Sequence, residues 1–185
     1  MNRGGAARDT QVEQPCRVLV AGVGNLLRGD DGFGVEMARR LLAAPPRLAG
    51  VMVTIIETGI GGMHLVQELM SGYDALIVID AVERGAAPGT LFLLEPERAD
   101  TASWSAATRR DFFADTHYAE PSHALALAAA VGALPSRVLI VGCQVATVDD
   151  LLEGLTPAVA RAVEAILPRL PGIIADLLRD EPTGA

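Results

Sequence analysis

The sequence predicts an α/β fold: a three-layer, doubly wound sandwich in which a mostly parallel, twisted sheet of about five strands carries helices on both faces. Three observations lead there. Short β-branched runs alternate with longer helical patterns along most of the chain. The run "ALIVID", Ala75 to Asp80, is so apolar that both of its faces must be covered, as in a parallel sheet between helical layers. The first apolar run, "RVLVAG", passes through a glycine turn straight into a helical pattern, the opening of a strand–helix–strand unit.

Taken in order, Arg17 to Gly22 is the first strand, and Gly34 to Ala43 is a helix with Val35, Ala38, Leu41 and Leu42 on one face, broken by "APP" from Ala44. Val51 to Glu57 is the second strand, followed by the turn "TGIGG" and a helix from about Met63 to Met70. Ala75 to Asp80 is the third. Gly89 to Glu95 is entered through a Pro-Gly turn rather than a helix, so a fourth strand here is expected to lie antiparallel at an edge. Pro96 to Glu120 shows no clear periodicity and holds Trp104, Phe112, Phe113, His117 and Tyr118; a loop this long in a compact domain usually has a function or is disordered. Ser122 is expected to cap a helix running to about Ala133, and Arg137 to Gly142 is the fifth strand. Thr156 and Pro157 read as N-cap and first residue of a final helix, which Pro168 and Pro171 should interrupt before "GIIADLL".

A chain of 185 residues with 50% apolar content can bury one good core, so a single domain is expected over residues 16–179, with a disordered leader over 1–15 and a frayed tail over 180–185. The net charge of −8 argues against nucleic acid or an anionic membrane as partner, since both would repel it. Cys16 and Cys143 form neither a C-x-x-C pair nor a disulfide framework, which suits a reducing compartment. No stretch approaches the roughly 18 uninterrupted apolar residues of a membrane span, and the N-terminal segment lacks a signal-peptide core. A soluble, cytoplasmic protein is expected, with a monomer as the simplest form.

In doubly wound sheets ligands bind outside the carboxyl ends of the strands. The residues there are Asn25 to Asp31, Glu57, Asp80 and Cys143 with Gln144. "GVGN" begins like a dinucleotide loop, but its third glycine is replaced by Leu27, and Asp30 and Asp31 sit where a pyrophosphate would need positive potential. Both acids could instead cap the following helix. Asp80, however, closes a fully apolar strand, where a carboxylate is costly unless it has a partner, and His123 stands on the first turn of the helix before the fifth strand. Carboxylates and an imidazole at one sheet edge make a donor set suited to a borderline divalent metal with positions left open.

With these motifs the sequence resembles the hydrogenase maturation endopeptidases, cytoplasmic enzymes that remove a C-terminal extension from the large subunit of [NiFe] hydrogenases. "GVGNLLRGDDGFGVEMARRL" is similar to the family's opening G-x-G-N-x-L-x-x-D-[DE]-x-x-G. "ETGIGGMHLVQEL", "LIVIDAVERGAAPGTL", "SHALAL", "VGCQV" and "LEGLTPAV" match its later segments, so that the resemblance spans Cys16 to about Leu178. It implies Asp31, Asp80 and His123 as metal-binding residues; Asp31 replaces a glutamate found in some members and reaches about one methylene less far. It also implies that the metal is nickel presented by the precursor, and that only the nickel-loaded precursor is cut.

Two mechanisms stay open: the metal activates water, or it only positions the peptide while Asp31 or Asp30 acts as general base, its pKa raised by its like-charged neighbour. Gly59, Gly61 and Gly62 could offer backbone N–H groups to the precursor tail or to an oxyanion, or could simply form a tight turn. His117 competes with His123, and His64 reads as an exposed helical histidine. Cys143 looks like a packed thiol rather than a nucleophile. The aromatic loop from Trp104 to Tyr118 is a candidate for choosing among precursors. The alternative reading is a non-catalytic, nickel-sensing, chaperone-like binder of the same precursor.

Overall fold

The computed structural model describes residues 14–59, 62–97, 101–105, 107, 121–146 and 153–179. Most of the expected leader, the tail from 180, Gly61, Phe112, Phe113, His117 and Tyr118 lie outside the described residues.

Five strands form one sheet: β1 (Cys16–Val23), β2 (Val51–Gly59), β3 (Ala75–Val82), β4 (Leu91–Leu94) and β5 (Arg137–Gln144), in the order β2-β1-β3-β5-β4. β1 pairs in parallel with β2 and β3, and β3 in parallel with β5. The short β4 runs antiparallel to β5 at the edge, as its Pro-Gly entry without a crossover helix predicts. Among the described residues the sheet is flanked by helices α1 (Phe33–Ala43), α2 (Gly62–Leu69), α3 (Pro121–Ala130), α4 (Pro157–Ile166) and α5 (Leu170–Arg179), with a 3₁₀ turn at Leu167–Arg169 between the last two, where Pro168 is expected to interrupt.

Alternate strand residues feed two cores, which is why the central strands are apolar throughout. Val18, Val20, Ile77 and Ile79 pack with Phe33 and Met37 of α1 and with Val159, Leu170 and Ile174. Leu19, Ala21, Leu76 and Val78 pack with Leu65 and Leu69 of α2 and with Leu125 and Ala128 of α3. Residues Ala75 to Ile79 are all fully buried. Burying a side chain of this kind contributes about 1.5–3 kcal/mol, so β1 and β3 anchor the molecule.

The strands outlast their apolar runs. Parallel pairing continues to Val82 and Gln144, so Asp80 stands inside β3, paired with Gly142, rather than just past its end. A second difference concerns α3, which opens at Pro121 and leaves Ser122 inside the first turn instead of at the cap. Proline fits the first helical position because its missing N–H would be unsatisfied there anyway.

From β1 the chain passes through α1 to β2 on one side, then returns through α2 to β3 on the other. The crevice between the ends of β1 and β3 is therefore the switch point of the sheet, the place where such folds bind ligands. Among the described residues no helix is long and apolar enough to cross a membrane.

Candidate active site

Glycines set the height at which α1 meets this crevice. A Cβ on Gly22 would fall 2.1 Å from the carbonyl oxygen of Gly34, so the helix start lies directly on the end of β1, and Gly34 in turn lies against β3. The intervening loop is closed on itself. Asn25 Oδ1 accepts the Leu27 N–H at 3.0 Å, the Arg28 N–H donates to the Asn25 carbonyl at 3.0 Å, and the Asp31 N–H to that of Arg28 at 3.2 Å. The Asn25 N–H is held at 3.2 Å by the Asp31 carbonyl. Amides that a phosphate loop would point at its ligand are used internally here, in line with the two carboxylates that the loop carries instead.

Those carboxylates have different surroundings. Both sit on a 3₁₀ turn, Gly29–Gly32, which packs against β3. Asp31 is partly exposed, and its charge reaches Asp80. The Asp80 carboxyl is pushed up from 3.8 to about 7, above all by burial; a hydrogen bond with the Ala81 backbone opposes the shift and the charge of Asp31 adds to it. Burial, more than the Asp31 charge, thus favours the protonated form of Asp80 at the crevice.

Asp30 is fully buried. Its Oδ1 accepts the Thr156 N–H at 2.7 Å, and its Oδ2 accepts the Ala146 N–H at 2.9 Å and the Thr156 hydroxyl at 3.0 Å. Such a setting argues against Asp30 as the general base. Thr156 does occupy the N-cap position of α4, yet its side chain makes no cap hydrogen bond there. The Thr-Pro signal locates the helix start; nothing local to it foretells where the hydroxyl is used.

His123 is half-buried on the first turn of α3. Because α3 leads into the parallel strand β5, its N-terminus lies at the carboxyl edge of the sheet. Its Nε2 atom is buried and makes no hydrogen bond, while the residue as a whole is engaged elsewhere. The helix packs on the α2 face, across the sheet from α1. The structure therefore sets the turn that carries Asp31 against β3, which carries Asp80, and puts His123 on the same edge, but among the described residues no three His, Cys, Asp or Glu side chains gather into a ready-made metal site.

Gly59 ends β2 with a positive φ of +54°, the backbone conformation expected of a tight turn, and its carbonyl accepts the Gly24 N–H at 3.1 Å. Gly62 is the first residue of α2, and His64 is exposed on that helix. Glu57 pairs with Arg39 at 3.1 Å on the surface. Cys143 is fully buried, and burial, followed by the charge of Asp30, pushes its thiol up to about 11. Sequence reasoning placed Gln144 at the edge without a role. Its Oε1 accepts the N–H groups of Arg84 at 2.8 Å and Ala86 at 3.2 Å, which fastens the segment after β3. A cleft of about 440 Å³ between α1 and α4, lined by Leu26, Gly29, Arg40, Leu155 and Arg161 among others, includes none of Asp31, Asp80 and His123.

Comparison with known proteins agrees with this architecture. The family described as HycI, hydrogenase maturation protease, matches residues 35–171, a span that holds Asp80 and His123 and begins just after Asp31. The hydrogenase expression/formation protein HupD of Rhodobacter capsulatus is 34% identical over 151 residues, covering 82% of this chain and 68% of that protein. HupM of Azotobacter chroococcum mcd 1 is 36% identical over 150 residues, covering 81% and 68%. Among solved structures, the hydrogenase maturating endopeptidase HybD from E. coli superimposes with a TM-score of 0.65 at 26% identity, over 86% of this chain and 93% of that one. On the match of most of its length, with relatives and structural neighbours named as maturation proteins and endopeptidases, the chain belongs to the hydrogenase maturation protease family.

Proposed function

We propose that this peptidase removes the C-terminal extension of a [NiFe] hydrogenase large-subunit precursor once the precursor carries nickel, acting as a monomer in the cytoplasm. The observation that carries the reading is the placement at the switch point of the sheet of a buried Asp80 carboxyl and a partly exposed Asp31 on the turn packed against β3. Burial and, to a smaller extent, the repulsion of the Asp31 charge hold the proton on Asp80. A divalent cation presented by the substrate relieves that repulsion and takes the place of the proton near Asp80, so a loaded precursor gains an anchor that an empty one lacks. Oxygen donors from Asp31 and Asp80, with an imidazole from His123 as third donor, fit a borderline ion that keeps its other ligands on the precursor.

Anchored in this way, the scissile peptide lies along the edge formed by the opening loop, Gly59 at the end of β2 and Gly62 at the start of α2, which we assign to the tail of the precursor. Two routes to the attacking water remain: polarisation by the nickel, or proton removal by a carboxylate. In the second route the base is Asp31, since the Asp30 carboxylate is enclosed by its three donors.

The test is intact-mass spectrometry of a large-subunit precursor incubated with the protein, once nickel-loaded and once nickel-free. Loss of the extension in the loaded sample alone supports the proposal, and Asp31→Asn and Asp80→Asn should each abolish it. Binding of the loaded precursor without any cleavage would favour the nickel-sensing binder instead.

A further inference from the structure

We propose that Asp30 is a positioning residue: its carboxylate touches neither nickel nor peptide, and holds Asp31 beside Asp80 by fastening the turn that carries them to two distant segments of the chain. The inference rests on the reading of Asp31 and Asp80 as the carboxylates that receive the precursor's metal. Its basis is geometric.

Successive side chains on a 3₁₀ turn diverge by about a third of a rotation. Asp30 points into the protein, and Asp31, next in the chain, keeps part of its surface exposed at the crevice. The donors to Asp30 come from the exit of β5 and the start of α4, Ala146 and Thr156, which lie 116 and 126 residues further along the chain. One carboxylate thus ties together the opening loop, the last parallel strand and the final helical pair. A buried carboxylate is tolerated only when hydrogen-bonded, and two backbone N–H groups with one hydroxyl meet that need. Thr156 gives up the capping bond its position would normally make and donates its hydroxyl to Asp30. For packing alone, an apolar side chain at this place would be less demanding. What the carboxylate adds is a fixed orientation for the turn, and hence for its neighbour Asp31.

Asparagine at position 30 keeps the shape but must point an amide at one of two backbone N–H donors, so Asp30→Asn loses part of the clamp. Thr156→Val removes only the hydroxyl bond, and Thr156→Ser restores it. The first measurement is hydrogen exchange of the amides of Asn25 and Asp31, which close the loop, against those of Val20 and Ile77 in the core. Expected for Asp30→Asn is a loss of protection of about tenfold or more at the loop amides with the core amides unchanged, and a smaller loss for Thr156→Val that Thr156→Ser reverses. Equal protection in all variants, or a uniform loss that only follows global stability, would overturn the inference.

The second measurement is cleavage of the nickel-loaded precursor at a temperature where every variant is folded. Asp30→Asn should lower kcat by about tenfold with KM little changed, and Thr156→Val should lower it less, a loss that Thr156→Ser reverses. Full turnover in folded Asp30→Asn, or a loss in Thr156→Val that Thr156→Ser does not reverse, would refute the positioning role. If the wild type cleaves nothing while the loop amides still lose protection, the proposed substrate is wrong and the clamp stands. Should Asp30→Asn fail to fold, the Thr156 pair decides both measurements.

Discussion

Gly34 rests on the carbonyl oxygen of Ile79, so closely that a Cβ at this glycine would fall 2.0 Å from that oxygen. Ile79 precedes Asp80, and Gly34 follows the turn that carries Asp31 by two residues. The contact therefore sets the height of α1 over β3 and with it the separation of the two acids. Backbone meets backbone here, and neither side can swing away as a long side chain could. Gly34→Ala should destabilise the protein by about 1–3 kcal/mol or more, the usual range for overpacking. It should also depress turnover of nickel-loaded precursor at temperatures where the variant is folded. Denaturant unfolding alongside the cleavage assay checks both; wild-type behaviour in each would mean that the helix start accommodates a methyl group after all.

Asp80 makes a pH prediction with a definite sign. Its carboxyl is pushed up to about 7, first by burial and then by Asp31, against 3.8 for an ordinary aspartate. Between these values the folded protein holds a proton that the unfolded chain has released. This group's contribution to stability is therefore greatest below about pH 4, falls as pH rises, and is lost above about pH 7. At 1.36 kcal/mol per unit the ceiling of the effect is about 4 kcal/mol. Asp80→Asn cannot ionise, so relative to the wild type it should gain stability from pH 4 to pH 7 and be the more stable protein at pH 8, while failing to process precursor. Urea unfolding at several pH values measures this. Parallel pH profiles for the two proteins would show that Asp80 ionises in the fold as easily as in water.

Much of this was readable in the residues. The apolar run from Ala75 to Ile79 is enough to call for a covered central strand, and the Pro-Gly entry to β4 for an antiparallel edge. The order of strands and helices was enough to bring Asp31, Asp80 and His123 to one edge, although β3 and β5 run two residues past the ends their apolar runs suggest and Ser122 lies inside its helix. Contacts between segments far apart in sequence were not readable. Neighbouring aspartates look alike in one dimension, yet Asp30 turns inward to donors more than a hundred residues away while Asp31 keeps partial exposure. Thr156 was recognisable as an N-cap, but a buried acceptor outside its helix takes its hydroxyl. Nor could the pattern tell that His123 rides on the α2 face, since the side taken by a crossover helix is a property of the whole sheet.

Cys143 is expected to be dispensable for chemistry. A nucleophilic thiol must be exposed and have a lowered pKa, whereas this one is fully buried and raised to about 11. Cys143→Ala should cleave precursor at close to the wild-type rate below its unfolding temperature, with a stability loss of about 1 kcal/mol for the lost packing. Alkylation should reach Cys143 in the folded protein only slowly, and readily after denaturation. Loss of turnover in a folded Cys143→Ala protein would bring covalent catalysis back.

Gln144 provides the final test, because it connects β5 to the segment that follows β3 and Asp80. Its side chain is buried, accepts two backbone N–H groups from Arg84 and Ala86, and donates to the Val145 carbonyl at 3.2 Å. In Gln144→Ala these groups lose their partner together, at a cost of about 1–3 kcal/mol for buried groups left unsatisfied. Hydrogen exchange at the Arg84 and Ala86 amides should then accelerate beyond any change in the core. Gln144→Glu keeps the acceptor and loses the donor, so it should preserve protection at those two amides while giving up the Val145 contact. If both variants leave Arg84 and Ala86 as protected as in the wild type, the segment after Asp80 is held by its other contacts, and the buried amide of Gln144 serves β5 alone.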